Sequence, residues 1–279
     1  MSDARINPNG SLRGKVALVT GASRGIGKAV AVALARDGFD VAITARTVHE
    51  GTGVNPNTGQ AIEGSLDTTA ALIADHGGRA VPVVLDLLRL ETIPDAWEQA
   101  VAGLGGRVDV VVNNAIYAGP GNECRFGDVD PADVVKRVTG NLTAQLLLTR
   151  VAVRHMLGSE PRHGRRGTFL NITSHAGQAT PTAPAGHGGW ALTYAATKAG
   201  FHRIADMLAV EYGDEGIVAV NINPGFVATE RVLSTEALAF VASRGIPPAP
   251  IGEAVVRILH DHSIANGSYV HAPNFIDPG

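Results

Sequence analysis

Cysteine is almost missing from this chain of 279 residues, in which Cys124 is the only example. A single cysteine cannot form an intrachain disulfide, so we expect a reducing, cytoplasmic setting. An excess of positive charge is missing as well, because 23 Lys and Arg residues stand against 26 Asp and Glu residues. With this balance we expect no nucleic-acid partner.

The sequence also lacks long apolar runs and recognisable targeting signals. No stretch reaches the ~18 apolar residues of a membrane-spanning helix, and residues 1–15 are polar, without the apolar region of a signal peptide. The 10 histidines show no H-E-x-x-H or comparable ligand spacing. We therefore expect neither a membrane segment nor a metal centre.

What the chain does contain is an alternation of short β-branched runs and longer amphipathic stretches rich in Ala and Leu, typical of βαβ units. The pattern predicts a single α/β domain over residues 1–279, a Rossmann-like doubly wound parallel sheet with helices on both faces. The predicted strands are 16–20, 40–44, 80–85, 108–113, 168–173, 218–223 and 268–271. The predicted helices are 26–37, 66–75, 93–103, 131–157, 194–212 and 252–261.

Three segments depart from this alternation. Residues 47–65 are rich in Gly, Asn, Pro and Thr and are long for a connection, which predicts a surface insertion. Residues 178–190 and 226–250 follow predicted strands, at the edge of the sheet where such folds place their ligands. We predict that these two segments form the substrate pocket.

A glycine-rich turn, Thr20-Gly21-Ala22-Ser23-Arg24-Gly25-Ile26-Gly27, follows the first predicted strand. Glycines permit a tight turn and close approach of the backbone to a pyrophosphate, and the following helix start attracts anions. The turn therefore predicts a dinucleotide cradle. Its predicted contacts are Gly21, Ser23, Arg24, Gly25, Ile26 and Gly27.

The residue after the second predicted strand points to the kind of dinucleotide. NAD-binding units place an acidic residue there to bind the ribose hydroxyls, whereas this chain has Arg46. A guanidinium binds a 2′-phosphate well, and Arg24 could supply a second cation. We therefore predict NADP(H) as the cofactor. Asp86, at the end of the third strand, either faces the adenine or caps a turn.

Tyr194 and Lys198 lie four residues apart in a predicted helix, on one face. An adjacent ammonium stabilises a phenolate, so we expect Lys198 to lower the tyrosine pKa from its usual value of about 10. Ser174 closes the fifth strand, where its hydroxyl could hold a substrate oxygen or merely cap a turn.

Together these motifs resemble those of the short-chain dehydrogenase/reductase family, in the family's order. The matching residues are 20–27, Asn113-Asn114-Ala115, Asn141, Ser174, the Tyr194/Lys198 pair and Asn223-Pro224-Gly225 with Thr229. The resemblance implies a catalytic tetrad of Asn141, Ser174, Tyr194 and Lys198, with Lys198 also holding the nicotinamide ribose. It implies further cofactor contacts by Asn113, Pro224, Gly225, Val227 and Thr229.

Three features depart from the family pattern. Ile116 stands where the family has a glycine, the interval between Ser174 and Tyr194 is longer than usual, and the usual D-G-G ending is missing. The last departure places the final strand in doubt.

The expected activity is hydride transfer between NADP(H) and the carbonyl or secondary alcohol carbon of a small substrate, preferably an apolar one. The expected assembly is a homo-oligomer, a dimer or a tetramer. Two alternatives stay open: a non-catalytic NADPH-binding sensor or scaffold, and an epimerase or dehydratase on the same fold.

Overall fold

A parallel sheet forms the centre of the computed structural model, which describes residues 14–277 (for Ala237 the backbone alone). Residues 1–13 and 278–279 of the predicted domain lie outside this range. The strands are β1 (Val16–Thr20), β2 (Asp40–Ala45), β3 (Ala80–Val84), β4 (Val110–Asn113), β5 (Gly167–Ile172), β6 (Ile217–Asn223) and β7 (Tyr269–His271). The helices are α1 (Gly25–Arg36), α2 (Leu66–Asp75), α3 (Ile93–Gly103), α4 (Pro131–Val138), α5 (Ala144–Leu157), α6 (Leu192–Tyr212), α7 (Glu230–Leu233), α8 (Ala239–Arg244) and α9 (Pro248–His260).

The strand order is β3-β2-β1-β4-β5-β6-β7, and every pairing is parallel. One face of the sheet packs against α1 and α9, through residues such as Leu34 and Val255. The other face packs against α3, α5 and α6, with Trp97 and Phe201 buried there. Burial on both faces explains why the central strands are continuously apolar. The predicted doubly wound fold is confirmed, including the final strand that the sequence left in doubt.

The strand order reverses between β1 and β4, since the chain runs outward from β1 through β2 to β3 and then returns to β4 on the other side. In doubly wound folds the ligand crevice opens at this reversal, beyond the carboxyl ends of the strands. The glycine turn after β1 and the segment after β4 therefore meet at the place where a ligand is expected.

Some element boundaries differ from the prediction. The predicted helix 131–157 is divided by a π-helical turn, Thr139–Thr143, between α4 and α5. The short helices α7 and α8 were not predicted, because four and six residues are too few for an apolar period to stand out. Across the described residues, no helix is both long and apolar enough to cross a membrane.

Residues 47–65, predicted as a surface insertion, are mostly exposed but include buried residues. The segment folds back through a bridge between Val54 and Ala61, and although Val54 is 57% exposed, Asn55 and Ile62 are buried. The Asn55 amide donates to the hydroxyls of Ser234 and Thr235, both at 3.0 Å. The segment is therefore packed against the chain beyond α7, a contact between residues too distant in sequence for local composition to reveal.

Candidate active site

The glycine turn joins β1 to α1 in the way its sequence requires. Gly21 and Gly25 have φ values of +67° and +57°, the region that favours glycine. A Cβ atom on Gly27 would lie 2.3 Å from the carbonyl oxygen of Gly21, so any larger residue would force helix and turn apart. The Thr20 hydroxyl accepts from the backbone amides of Asn114 and Ala115, both at 2.9 Å, which fixes the turn to the end of β4.

The first turn of α1 contacts an anionic side chain of the protein, the carboxylate of Glu230. The Glu230 carboxylate accepts from the Gly25 amide at 2.8 Å and forms an ion pair with Lys28 at 2.6 Å. Burial alone would raise the pKa of this carboxyl, but the hydrogen bonds from Lys28 and Gly25 outweigh it and lower the pKa. Sequence reasoning missed Glu230, whose only signal was its place directly after Thr229. A carboxylate at this point indicates that the helix start suits an anion.

Two arginines lie at the end of the cleft formed by β2. Arg46 is exposed at the carboxyl end of β2 and lines the cleft. Arg24 also lines it, but its guanidinium donates to the carbonyl oxygens of Glu63 and Gly64, at 2.8 and 2.6 Å. Arg24 therefore attaches the 47–65 segment to the glycine turn, and its role as a second cation for the cofactor stays a prediction. Asp86 caps a turn by accepting from the Leu88 amide at 3.0 Å, and it lines the cleft as well.

Tyr194 and Lys198 lie on the first turns of α6, beside Ser174 at the end of β5, and all three line the cleft. Ser174 thus joins the pair despite the long interval in sequence. Lys198 is only 4% exposed, and its ammonium donates to the carbonyl oxygen of Ile172 at 2.8 Å. Burial, with a further contribution from the positive charge of Arg231, lowers the pKa of Lys198 to about 7.

The ionisation of Tyr194 differs from the prediction. Burial raises the pKa of its phenol, and this effect exceeds the lowering by a hydrogen bond to Ser174 and by the positive charges of Arg231 and Arg137. Lys198 does not supply the expected lowering, because its ammonium is directed at Ile172 and is itself destabilised by burial. The phenol is therefore protonated near neutral pH, ready to donate a proton.

Three predicted residues do not line the cleft. Asn113 is buried within the sheet, where its amide donates to the Asn171 side chain at 2.9 Å. Asn141 lies in the π-helical turn and bonds both the amide and the carbonyl of Tyr117, at 2.6 and 3.1 Å. Gly27 is buried behind the turn. Asn141 thus holds the loop of Tyr117, and neither Asn113 nor Asn141 lines the interior of the cleft.

The segment after β6 lines another side of the cleft. Gly225 has a φ of +70°, and its amide donates to the Asn223 side chain at 3.1 Å. Thr229 caps α7 by accepting from the Val232 amide at 3.3 Å. The residues of this segment that line the cleft and were predicted to contact the cofactor are Pro224, Gly225, Val227 and Thr229.

The cleft is continuous from Arg46 to Tyr194 and has a volume of about 1710 Å³, well above the 300–1,000 Å³ usual for one small ligand. Its size and its glycine turn fit an extended dinucleotide with a substrate beside it. The helix start that holds the Glu230 carboxylate fits a pyrophosphate. Residues 14–277 contain no group of three or more His, Cys, Asp or Glu side chains arranged to hold a metal ion.

Comparison with known proteins agrees with this geometry. The family profile described as "short chain dehydrogenase" matches residues 15–237. The chain is 32% identical over 246 residues to the 3-oxoacyl-(acyl-carrier-protein) reductase FabG of Escherichia coli, covering 88% of this chain and 86% of that protein. It is 34% identical over 224 residues to cyclohexanol dehydrogenase of Rhodococcus sp., covering 79% of this chain and 77% of that protein.

A solved structure is similar over nearly the whole chain. The crystal structure of 3-oxoacyl-(acyl-carrier-protein) reductase from Brucella melitensis in complex with NAD superposes with a TM-score of 0.74 at 26% identity. The superposition covers 92% of this chain and 95% of that one. The similarity therefore extends beyond the glycine turn to the sheet and helices as a whole.

Proposed function

Because the chain belongs to the short-chain dehydrogenase/reductase family and is an NAD(P)-dependent oxidoreductase, we propose that it uses NADPH to reduce the carbonyl group of a small substrate to a secondary alcohol. The observation that carries this proposal is that Tyr194, Ser174 and Lys198 line the same cleft as the glycine turn. A proton donor beside a dinucleotide cradle is the arrangement that carbonyl reduction requires.

Different residues along the cleft would bind different parts of the cofactor. The amides at the start of α1 would receive the pyrophosphate, and Arg46 would pair with the 2′-phosphate at the far end. Lys198 would donate to the nicotinamide ribose, because it lines the cleft beside Ser174 and Tyr194, where the nicotinamide is expected. The NADP(H) preference rests on Arg46, whereas the similar Brucella structure was determined with NAD.

Each residue at the end of the cleft that contains Tyr194, which we call the reacting end, has a distinct role. The bound nicotinamide supplies the hydride. Tyr194 donates its phenolic proton to the substrate oxygen, and Ser174 donates a hydrogen bond that polarises the same oxygen. Lys198, with a pKa of about 7, is able to return a proton to the phenolate at neutral pH. Asn141 keeps the loop of Tyr117 in place, which shapes the wall of the cleft.

We also propose that the protein is a homo-oligomer, a dimer or tetramer. Apolar side chains are exposed on α4, α5 and α6, and Val210 is the extreme case at 82%. The others on these helices are Val135, Val138, Leu146, Leu147, Leu192 and Met207. Light scattering after gel filtration should give a multiple of 28.8 kDa. A monomer at micromolar concentration would contradict the proposal.

The proposed activity is tested by a panel of ketones and aldehydes, each assayed with NADPH and with NADH. The panel should include cyclic ketones and 3-oxoacyl thioesters, since relatives are named for cyclohexanol and 3-oxoacyl substrates. We expect stoichiometric NADPH oxidation and alcohol formation with at least one class. Product formation without net NADPH consumption would instead indicate epimerase or dehydratase chemistry, and cofactor binding with no turnover of any compound would indicate a non-catalytic role.

A further inference from the structure

Arg231 lies on α7 and lines the same end of the cleft as Ser174, Tyr194 and Lys198. Its guanidinium is close enough to Tyr194 and Lys198 for its charge to act on both groups. Its neighbour in sequence, Glu230, is turned away toward Gly25 and Lys28. Within residues 14–277, the structure shows no hydrogen bond or ion pair that engages the Arg231 guanidinium.

A second guanidinium adds to the positive charge. Arg137 on α4 is only 1% exposed, and it donates to the carbonyl oxygens of Gly119 and Pro120 and to the amide oxygen of Asn122. These acceptors are all neutral, so they do not cancel the charge. Among the described residues lining the cleft, only two are acidic, Glu123 near Arg137 and Asp86 toward the adenosine end.

The backbone of Arg231 is held by hydrogen bonds to the residues that follow it. Its backbone carbonyl oxygen accepts from the hydroxyls of Ser234 and Thr235, at 3.2 and 2.8 Å. Both hydroxyls in turn accept from the buried amide of Asn55, in the 47–65 segment. The inserted segment therefore holds the turn that carries Arg231, so the backbone from which the guanidinium extends into the cleft is anchored.

A partly buried cation without a negative partner is costly, and the cost falls when an anion binds it. Arginine suits planar anions in particular, because its fork of donors matches a carboxylate with two parallel hydrogen bonds. The same cleft has an aromatic wall, where Phe226 and Phe240 contact each other at 5.9 Å between ring centroids and the guanidinium of Arg244 lies over the Phe240 ring at 4.1 Å. Charge and wall together favour a ligand with an anionic group and an apolar body.

We infer that the substrate is an oxo acid whose carboxylate binds Arg231, placing its ketone oxygen beside Tyr194 and Ser174. The inference rests on the proposed function and specifies its substrate class. During reduction, hydride bonds to the ketone carbon while the C=O π pair moves to oxygen, which takes the proton of Tyr194. The carboxylate is unchanged, and NADPH is oxidised to NADP⁺.

The test compares 2-, 3- and 4-oxo acids with their methyl esters, which keep the skeleton but lose the charge. For the native protein we expect kcat/KM for the best acid to exceed that of its ester by about 100-fold, the scale of a lost charge-assisted contact. Arg231→Gln should lose most of this preference, and Arg231→Lys should keep part of it. The control is Arg203→Gln, an exposed arginine on α6 paired with Asp206, which should change neither value.

A binding measurement makes the outcome independent of turnover. Calorimetry with the NADP⁺-saturated protein would compare phenylacetate and 3-phenylpropionate with their neutral amides. We expect the carboxylates to bind at least about tenfold tighter, a preference lost in Arg231→Gln while the Kd for NADP⁺ is unchanged. Equal binding of acids and amides would overturn the inference. It would also be overturned if the only defect of Arg231→Gln were weaker NADP⁺ binding, because the anion that Arg231 binds would then be a phosphate of the cofactor. Turnover of neutral ketones alone would overturn it and leave the proposed function standing.

Discussion

The two ends of the cleft are built in different ways. The nucleotide end is formed by neighbouring elements, β1, α1 and β2, and its essential features are backbone amides and glycines whose positions are dictated by sterics. The reacting end is formed by side chains from α4, β5, α6 and α7, which are distant in sequence. The comparison teaches that backbone shape forms the cradle at the nucleotide end, where the side chain of Arg46 adds the expected cofactor preference, whereas the reacting end is defined by the summed charges of its side chains.

The largest effect is expected where the reacting end performs chemistry. Tyr194→Phe removes one hydroxyl and leaves the ring, so turnover should fall by about 10²–10⁴-fold, as is typical for loss of general acid catalysis. The Kd for NADPH should hardly change. The measurement is single-turnover reduction at saturating NADPH, with Tyr212→Phe at the other end of α6 as the control. A variant that keeps more than about a tenth of the rate would remove Tyr194 from its role.

The second effect concerns the charge of Lys198, buried at the reacting end. With a pKa lowered from 10.5 to about 7, this amine should be protonated below neutral pH and mostly neutral one unit above it, where ordinary lysines stay charged. Reductive ¹³C-methylation followed by NMR titration would measure it, and Lys198→Arg identifies its signal among those of four lysines. The result that contradicts this account is a methylated Lys198 that titrates near 10 with the others.

The third effect tests the nucleotide end. Arg46 is exposed at the end of β2, where a 2′-phosphate would be received, so NADPH should bind at least about tenfold tighter than NADH. Arg46→Asp should reverse this order by repelling the phosphate. Fluorescence titration gives both Kd values, and Arg79→Gln, an exposed arginine paired with Asp40, serves as the control. Equal affinity of the native protein for both cofactors would refute the preference.

A smaller effect is expected from changing Glu230, which precedes Arg231 of the reacting end in α7 and contacts Gly25 of the nucleotide end. Its carboxylate accepts from Gly25, at the helix start where the pyrophosphate is expected, and must be displaced or repelled when the cofactor arrives. Glu230→Gln removes the negative charge and frees Lys28, so NADPH should bind roughly threefold tighter. The exposed Glu215→Gln is the matched control. Weaker binding by Glu230→Gln would mean that the carboxylate supports the cradle instead of competing for it.

The sequence was sufficient for local features of the site. The glycine turn, Arg46 and the Tyr194/Lys198 pair each depend on spacings of a few residues, and short β-branched runs indicated the strands of the sheet, with the last one in doubt. It could not tell that Asn113 is buried within the sheet, because a strand apolar on both faces has no alternation to read.

Long-range contacts explain the remaining differences. The charges of Arg137 and Arg231 act on Tyr194 from separate helices, and Asn55 bonds residues 179 and 180 positions away. Neither of these long-range interactions produces a pattern in the local sequence. The pKa of Tyr194 was misjudged for the same reason, since spacing gives the position of Lys198 but not the direction of its ammonium or the extent of burial.

The most direct test of the whole account follows the transferred hydrogen. NADPH carrying deuterium at C4 is prepared in each of its two stereochemical forms, and each is reacted in a single turnover with the best substrate of the panel. We predict that one form delivers its deuterium to the carbinol carbon of the product while the other retains it, and that Tyr194→Phe slows this delivery. Product that contains no deuterium from either form would contradict hydride transfer in this cleft.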